Sequence, residues 1–215
     1  MISPKYTWTI FCICLNLMAR GQLNADRSAD TIRIKGKLYT GILRMDTFCL
    51  QDNKGHVLLR QRGDYFGFEF KDFNKDGYKD IELTLSGNTP EVLDLFLFIP
   101  SAQKFQRIRD FDYFPSPQRI NGTHYFYSYH KSGCADMDWD SDLFYIHNGK
   151  AVALGNISGR GCEIRLERQK IYIRCIRKGT KRLINILPMR QVQKYHDGKW
   201  GFIAAYWTKN YKRFI

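Results

Sequence analysis

Sequence motifs of the common hydrolases and nucleotide-binding enzymes are missing from this 215-residue chain. It contains no Gly-x-Ser-x-Gly nucleophile elbow, no His-Glu-x-x-His zinc motif and no glycine-rich phosphate loop. It has no Cys-x-x-Cys pair, so a structural zinc site is not expected. Its five histidines never occur at the spacing of two metal ligands on one element. These absences favour a non-enzymatic protein.

Long apolar runs are also scarce, since the chain has only one, at residues 7–19. This run is too short to span a bilayer as a stable helix, and small residues such as Gly21 follow it, which is typical of a secretory signal peptide. We expect cleavage before Gln22, which makes residues 1–21 the signal peptide and residues 22–215 a single exported domain. That domain would lie in the periplasm or outside the cell, with no stable membrane span. An uncleaved anchor or a buried N-terminal segment is the alternative.

Acidic side chains are scarce in the last quarter of the chain. Residues 162–215 contain 14 Lys and Arg but 3 Asp and Glu, whereas residues 22–161 contain 18 of each kind. A basic surface favours an acidic partner, such as an anionic envelope polymer or an acidic protein. Nucleic acid is a weaker candidate than either of these for an exported chain, so we expect no nucleic-acid partner. A solvated basic surface without a partner is the alternative.

No stretch has a sustained helical period, and strand-like segments recur every 8–12 residues with turn signals between them. The pattern predicts an all-β fold, either propeller-like or built of stacked antiparallel hairpins. Hairpin turns are expected where glycine follows polar residues, at Asp52–Gly55, His147–Gly149 and Lys178–Gly179. The apolar run Val92–Ile99 predicts a central buried strand. Strands are also predicted over Glu163–Glu167 and Trp200–Trp207.

The most specific pattern is the run Asp-Phe-Asn-Lys-Asp-Gly-Tyr-Lys-Asp, which begins at Asp72. Oxygen-bearing side chains occur at its positions 1, 3, 5 and 9, with Gly77 at position 6, as in the first half of a calcium loop. Leu83 replaces the bidentate Glu of an EF-hand at position 12, so the loop is of another kind. We predict Ca²⁺ bound by four side chains and the backbone carbonyl of Tyr78, so that the ligands are Asp72, Asn74, Asp76, Tyr78 and Asp80. A metal-free turn rich in Asp, Asn and Gly is the alternative.

Four cysteines remain after the expected cleavage, and in an exported chain they are candidates for disulfides. Cys134 and Cys162 each follow a glycine in loop-like sequence, so we predict that they pair. Cys49 and Cys175 lie in strand-like runs, where they could form a second disulfide or serve as core residues.

Alternating aspartates form one acidic segment, residues 136–142. They could bind a second cation, act as paired carboxylates in glycoside hydrolysis, or recognise a basic partner. A solvated loop is the simplest interpretation. An exposed tryptophan among the aspartates would favour partner binding, because aromatic anchors concentrate at interfaces. The candidate partner-binding residues are Asp136, Asp138, Trp139 and Asp140.

The stretch Phe70–Ile81 resembles the calcium loop of FG-GAP/integrin-type propeller repeats. The segments that follow it, Ser86–Asn88, Leu95–Phe98 and Lys104-Phe105, are similar to those of a small family of exported bacterial proteins. These are calcium-containing, propeller-like lysozyme inhibitors, which act as immunity proteins against peptidoglycan-degrading effectors delivered by secretion systems. The resemblance covers about residues 64–155.

This resemblance implies the five metal ligands named above, an exported location and a non-enzymatic role as an inhibitor of a cell-wall hydrolase. The cysteines, the basic last quarter and the Trp-rich end depart from the family's pattern. A second hypothesis is therefore kept. It is an envelope or carbohydrate-binding module that uses the aromatic segment Tyr125–Tyr129 and the basic C-terminal quarter against an anionic polymer.

Overall fold

The computed structural model describes residues 27–87 and 91–215. The expected signal peptide, residues 1–21, lies outside the described residues. The described chain is mostly β, as predicted, and its named strands pair antiparallel. The described residues divide into two compact units, one that ends at Arg62 and one that begins at Gly63. The expected single domain over residues 22–215 stays a prediction.

The first unit is a four-stranded sheet in which each strand pairs with the next along the chain. Half-buried and buried residues alternate along its second strand, where Tyr39 and Leu43 are buried. Asp52 shapes the last turn as predicted, because its Oδ1 accepts the backbone N–H groups of Lys54 and His56 at 2.8 and 2.9 Å. The strands are β1 (Arg27–Ile34), β2 (Lys37–Arg44), β3 (Thr47–Asp52) and β4 (Val57–Arg62).

The second unit contains a four-stranded sheet and a seven-stranded sheet. The four-stranded sheet again follows chain order, with β5 (Tyr65–Lys71), β6 (Asp80–Leu85), β7 (Leu93–Ile99) and β8 (Lys104–Arg107). Six of the seven residues of β7 are buried, which confirms the predicted central strand.

The seven-stranded sheet has the order β15-β14-β13-β12-β10-β9, and β11 also pairs with β12. The predicted turns at Asn148-Gly149 and Lys178-Gly179 join long hairpins, and all four residues have the positive φ that such turns require. The predicted antiparallel hairpins are thus confirmed, and a propeller-like arrangement of them stays a prediction. The strands are β9 (Gln118–Arg119), β10 (Tyr125–Tyr127), β11 (His130–Gly133), β12 (Asp138–His147), β13 (Lys150–Arg160), β14 (Lys170–Arg177) and β15 (Thr180–Pro188).

The strand predicted over Trp200–Trp207 is wrong, because this segment lies in a helix, α1 (Lys199–Asn210). Phe202, Ile203 and Trp207 are buried on one helix face and pack on the seven-stranded sheet. A short apolar run has no periodicity that separates strand from helix, which explains the error. No helix in the described ranges is both long and apolar enough to cross a membrane.

The strand predicted over Glu163–Glu167 is also wrong. These residues form a loop that ends in a 3₁₀ turn at Leu166–Arg168. The alternating pattern failed here because the apolar side chains of Ile164 and Leu166 have no sheet surface to cover and remain exposed.

Two hydrophobic clusters hold the second unit together. One joins β7 of the four-stranded sheet to β10, β12 and β13 of the seven-stranded sheet, through residues such as Leu95, Phe126 and Phe144. The other lies between α1 and strands β12, β13 and β14 of the seven-stranded sheet, and it contains Trp139 and Trp207. Burial of these apolar side chains supplies the main driving force for this packing.

Candidate functional site

The predicted metal loop connects β5 to β6. Lys71 and Asp80 are partners in the strand ladder, so residues 72–79 form the connection between them. The predicted position of this loop, between two strands, is thus confirmed. The side chains of Lys75 and Lys79 are exposed, as expected for positions between the candidate ligands.

Asp72 organises the backbone of this loop. Its Oδ1 accepts a hydrogen bond from the N–H of Asp76 at 3.1 Å, and its Oδ2 accepts one from the N–H of Gly77 at 3.0 Å. Asn74 Oδ1 accepts the same Asp76 N–H at 3.0 Å. Gly77 has φ +91°, a conformation that L side chains rarely adopt, so glycine is required at this turn.

Asp80 is fully buried at the start of β6, and its carboxylate ties the loop to a neighbouring strand. Its Oδ2 accepts the N–H of Phe73 at 3.0 Å, and its Oδ1 accepts the N–H of Phe98 at 2.9 Å. Burial raises the pKa of Asp80 to about 6 against the opposing effect of these two hydrogen bonds, and the charge of Asp76 adds to the rise. A nearby cation would favour the ionised form of this carboxyl.

Aromatic packing anchors the loop in the core. The ring of Phe73 stacks on Phe126 at a centroid distance of 4.8 Å and meets the edge of Phe111 at 5.3 Å. The ring of Tyr78 lies 5.5 Å from that of Phe98. Both ends of the loop are therefore fixed by packing as well as by hydrogen bonds.

The donors in the loop are the carboxylate, amide and carbonyl oxygens that Ca²⁺ prefers. Among the residues that the structure describes, no three His, Cys, Asp or Glu side chains converge closely enough to hold a metal ion. The carboxylate of Asp80 accepts two backbone N–H groups, and the Asn74 side-chain amide donates to Asp76 Oδ2 at 2.9 Å. The donor chemistry fits calcium, and binding by Asp72, Asn74, Asp76, Tyr78 and Asp80 stays a prediction.

Cys134 and Cys162 form a disulfide, as predicted, with their Cα atoms 5.9 Å apart. Asp138 supports the same place, because its Oδ1 accepts the backbone N–H groups of Gly161 and Cys162 at 2.8 and 3.0 Å. Cys49 and Cys175 are half-buried and are not paired with another described cysteine.

Trp139 is a core residue and does not lie on the surface. Its side chain is 2% exposed and packs against Gly159 on the neighbouring strand, where an added Cβ would overlap the indole ring. Alternation along β12 turns Trp139 and Ser141 inward, and Asp138, Asp140 and Asp142 lie on the other face. An exposed Trp139 that contacts a partner is therefore incompatible with this fold.

Asp140 lies in a polar network on the outer face of β12. It accepts hydrogen bonds from Ser158 Oγ at 2.5 Å, from Arg160 Nη2 at 3.1 Å and from the hydroxyl of Ser132. Burial opposes its ionisation, but these donors together hold the pKa of Asp140 below its usual range. The negative charge of Asp140 is therefore stabilised by side chains of the same chain.

Asp136 joins β11 and its neighbouring turn to helix α1. Lys199 Nζ donates to Asp136 Oδ2 at 2.6 Å and to its backbone oxygen at 2.9 Å, and the hydroxyl of Tyr129 donates to Oδ1. Burial disfavours the charged carboxylate, but these donors lower the pKa of Asp136 overall. Burial raises the pKa of Tyr129, and its bond to Asp136 raises it further. Of the four candidate partner-binding residues, Asp136 and Asp138 thus hold neighbouring segments in place.

Two exposed features are not apparent from the sequence. Ile164 is 97% exposed and Leu166 is 77% exposed, in the loop that follows the disulfide. Trp200 is 48% exposed at the start of α1. A signal for the first was available, because both aliphatic residues lie between charged residues directly after a cysteine expected to be cross-linked. The exposure of Trp200 could be predicted only if helix α1 had been recognised from the sequence.

No family model matches the chain, and no curated protein matches it. Among solved structures, that of a Xanthomonas Type IV Secretion System related protein is similar, with a TM-score of 0.51 and 12% sequence identity. The similarity covers 76% of this chain and 96% of that chain. At this identity the chain shares the fold of that secretion-system-related protein, and the similarity shows the fold alone.

Proposed function

We propose that this chain is an exported, calcium-binding, non-enzymatic protein that inhibits a peptidoglycan hydrolase, in the manner of an immunity protein. The disulfide supports export, because such bonds persist in oxidising compartments outside the cytosol. The donor chemistry of the loop from Asp72 to Asp80 supports calcium. The fold shared with a secretion-system-related protein is compatible with a role as an exported immunity protein.

The observation that carries the inhibitor proposal is the Ile164 loop, which we define as residues 162–169. The disulfide holds its first residue. At its other end, the backbone N–H of Met189 donates to the carbonyl oxygen of Gln169 at 3.0 Å, and Gln169 Nε2 donates to the carbonyl oxygen of Glu163 at 2.9 Å. The loop therefore presents Ile164 and Leu166 to solvent from an ordered backbone.

An ordered loop with exposed apolar side chains suits insertion into the cleft of another protein. Binding then orders few new groups, so less of the interaction energy is lost as entropy. Arg165 and Arg168 are exposed in the same loop. Glu163 and Glu167 are exposed there too, so the loop has no net charge. Most glycoside hydrolases use a pair of carboxylates in their active-site cleft, to which the individual arginines are complementary.

The test is lysis of cell walls by a panel of peptidoglycan hydrolases, with and without the purified mature protein, in calcium and then in EGTA. We expect inhibition of at least one hydrolase, and weaker inhibition in EGTA. Ile164→Asp is expected to reduce this inhibition at least about tenfold, because a charged group would be desolvated in the interface.

The matched control is Met45→Asp, since Met45 is 71% exposed in the other unit of the chain. It introduces the same charge and is expected to leave inhibition unchanged. No inhibition across the panel would contradict the proposed function. Inhibition that Ile164→Asp leaves intact would instead exclude the Ile164 loop as the contact surface.

The second candidate function is binding of an anionic envelope polymer by the basic last quarter. Strand β15 is exposed along most of its length and carries Lys181 and Arg182, and Lys178 is exposed in the preceding turn. Retention on an immobilised polyanion that falls steeply with added salt would support this function. Retention that does not respond to salt would count against it.

A further inference from the structure

A groove of ≈ 540 Å³ lies between the start of α1 and the part of the larger sheet near β9 and β10. Its volume is within the range of small-molecule sites. No metal ligand predicted above and no residue of the Ile164 loop lines it. The polar and aromatic residues that do are Glu91, Ser116, Gln118, Tyr127, Tyr129, Asp197 and Trp200.

Trp200 and Tyr129 form the aromatic wall of the groove. The indole of Trp200 lies 3.7 Å from the ring of Tyr129, centroid to centroid. Lys199 Nζ lies 5.3 Å from the Tyr129 centroid and 5.4 Å from the Trp200 centroid, and Asp136 fixes this ammonium group through a hydrogen bond of 2.6 Å. The indole nevertheless remains 48% exposed, whereas Trp139 and Trp207 are 2% and 0% exposed. Trp200 is thus a pre-positioned flat apolar surface that solvent reaches.

The polar groups of the groove are those that recognise hydroxyl groups. The carboxylates of Glu91 and Asp197 are exposed acceptors, and the exposed amide of Gln118 both donates and accepts. Neither Lys nor Arg is among the described residues that line the groove. Lys199, whose ammonium group lies against the aromatic wall, is paired with Asp136, so it does not neutralise the two lining carboxylates, which repel phosphate, sulfate and uronate groups. The groove therefore disfavours the anionic polymers to which the basic quarter is suited.

We propose that this groove binds a neutral oligosaccharide, with one sugar ring lying against the indole of Trp200 and its hydroxyl groups bonded to Asp197, Glu91 and Gln118. A sugar ring has an apolar face and a rim of hydroxyl groups, which matches an exposed aromatic surface bordered by hydrogen-bonding groups. This site does not depend on the proposed inhibitor function.

The experiment uses the mature protein and two neutral probes, the N-acetylglucosamine tetramer and cellotetraose. Trp200 is the exposed tryptophan of the described chain, so quenching of tryptophan fluorescence by acrylamide reports on its accessibility. We expect at least one probe to protect the fluorescence from acrylamide in a saturable manner that does not change with added salt. Trp200→Ala is expected to weaken binding at least about tenfold, measured by calorimetry because the reporter is lost.

Gln118→Ala is a second variant that keeps the fluorophore, and it is expected to weaken binding about threefold to tenfold. The matched control is Tyr113→Ala, because Tyr113 is an aromatic residue that is 69% exposed outside the groove. It should leave binding unchanged. Absence of protection by either probe at millimolar concentration overturns the proposal. So does binding that Trp200→Ala and Gln118→Ala leave unchanged, or protection only by a polyanion such as heparin.

Discussion

The indole nitrogen of Trp207 donates a hydrogen bond to the hydroxyl of Ser141, 2.8 Å away, and neither side chain is exposed. Trp207 lies on α1 and Ser141 on β12, so this bond joins the helix to the middle of the seven-stranded sheet. Apolar residues surround Trp207 in a common cluster. A lost partner would leave the indole N–H buried and unsatisfied.

Ser141→Ala is therefore expected to lower the free energy of unfolding by about 1–3 kcal/mol. Urea denaturation followed by circular dichroism measures this difference. Ser101→Ala is the control, because Ser101 is exposed in a turn, and its effect should stay within about 0.5 kcal/mol. Equal effects of the two substitutions would show that the bond does not stabilise the helix on the sheet.

Gly159 gives a second test of the same core. A Cβ at this position would overlap the indole ring of Trp139, which is 2% exposed and lies within the hydrophobic core. Gly159→Ala is expected to lower the free energy of unfolding by about 1–3 kcal/mol through overpacking. Gly67→Ala is the matched control on a strand, because a Cβ there would meet nothing within 4 Å. Comparable denaturation midpoints for the two variants would be inconsistent with this packing.

The elements that could be predicted from sequence are those determined by local chemistry. The turns at Asn148-Gly149 and Lys178-Gly179 have positive φ at both residues, which the residue types Asn and Gly indicate for all of these positions except Lys178. The apolar run of β7 is bounded by Pro100 and is too short for a helix of ordinary length. The disulfide followed from two glycine-cysteine pairs in loop-like sequence.

The elements that could not be predicted depend on contacts between distant residues. The segment that begins at Trp200 is helical because Phe202 and Trp207 pack on the sheet surface that contains Trp139, and no local sequence pattern indicates that contact. The position of Trp139 inside the core likewise depends on Gly159 in the next strand. The groove beside Trp200 arises from the same long-range packing. Tyr127 and Tyr129 belong to the aromatic segment that the sequence indicated for carbohydrate binding, but the approach of Trp200 to them was not predicted.

The disulfide is expected to stabilise the second unit. It closes a segment with a sequence separation of 28 residues, for which loss of chain entropy in the unfolded state corresponds to about 3–4 kcal/mol. The double variant Cys134→Ser/Cys162→Ser should lower the free energy of unfolding by about this amount. Cys49→Ser/Cys175→Ser is the control, and it should not change the response of the protein to reducing agent. A wild-type midpoint that does not shift on reduction would contradict the prediction.

His130 is expected to make stability depend on pH near neutrality. Its Nε2 lies 3.7 Å from Asp142 Oδ2, and this interaction raises the pKa of His130 although burial opposes it. The folded state therefore binds the proton more tightly than the unfolded state. The resulting stabilisation is fully present below the pKa of the unfolded state and is lost as pH rises through the higher folded pKa.

The free energy of unfolding should thus fall between about pH 6 and pH 8, by less than about 1 kcal/mol because the pair is partly exposed. His130→Gln is expected to remove this slope, and Asp142→Asn should reduce it by removing the partner. Denaturation curves at several pH values measure the slope. A slope that persists unchanged in His130→Gln would assign it to another group.

Substitutions of Asp76 and Asp80 are expected to separate the effect of this loop on calcium binding from its effect on stability. Asp76 is exposed, so Asp76→Ala is expected to weaken calcium binding at least about tenfold with little effect on the metal-free protein. Asp80 is fully buried and accepts the N–H groups of Phe73 and Phe98, so Asp80→Ala should destabilise the metal-free protein by about 2–4 kcal/mol.

Calorimetric titration with calcium and thermal unfolding in EGTA distinguish these two effects. Asp112→Ala, which removes an exposed carboxylate outside the loop, controls for the change in net charge. An unchanged calcium affinity in Asp76→Ala would exclude the loop as the calcium site. Loss of stability in Asp80→Ala would still be expected in that case, because its two backbone hydrogen bonds hold the loop and β7 together whether or not a cation binds.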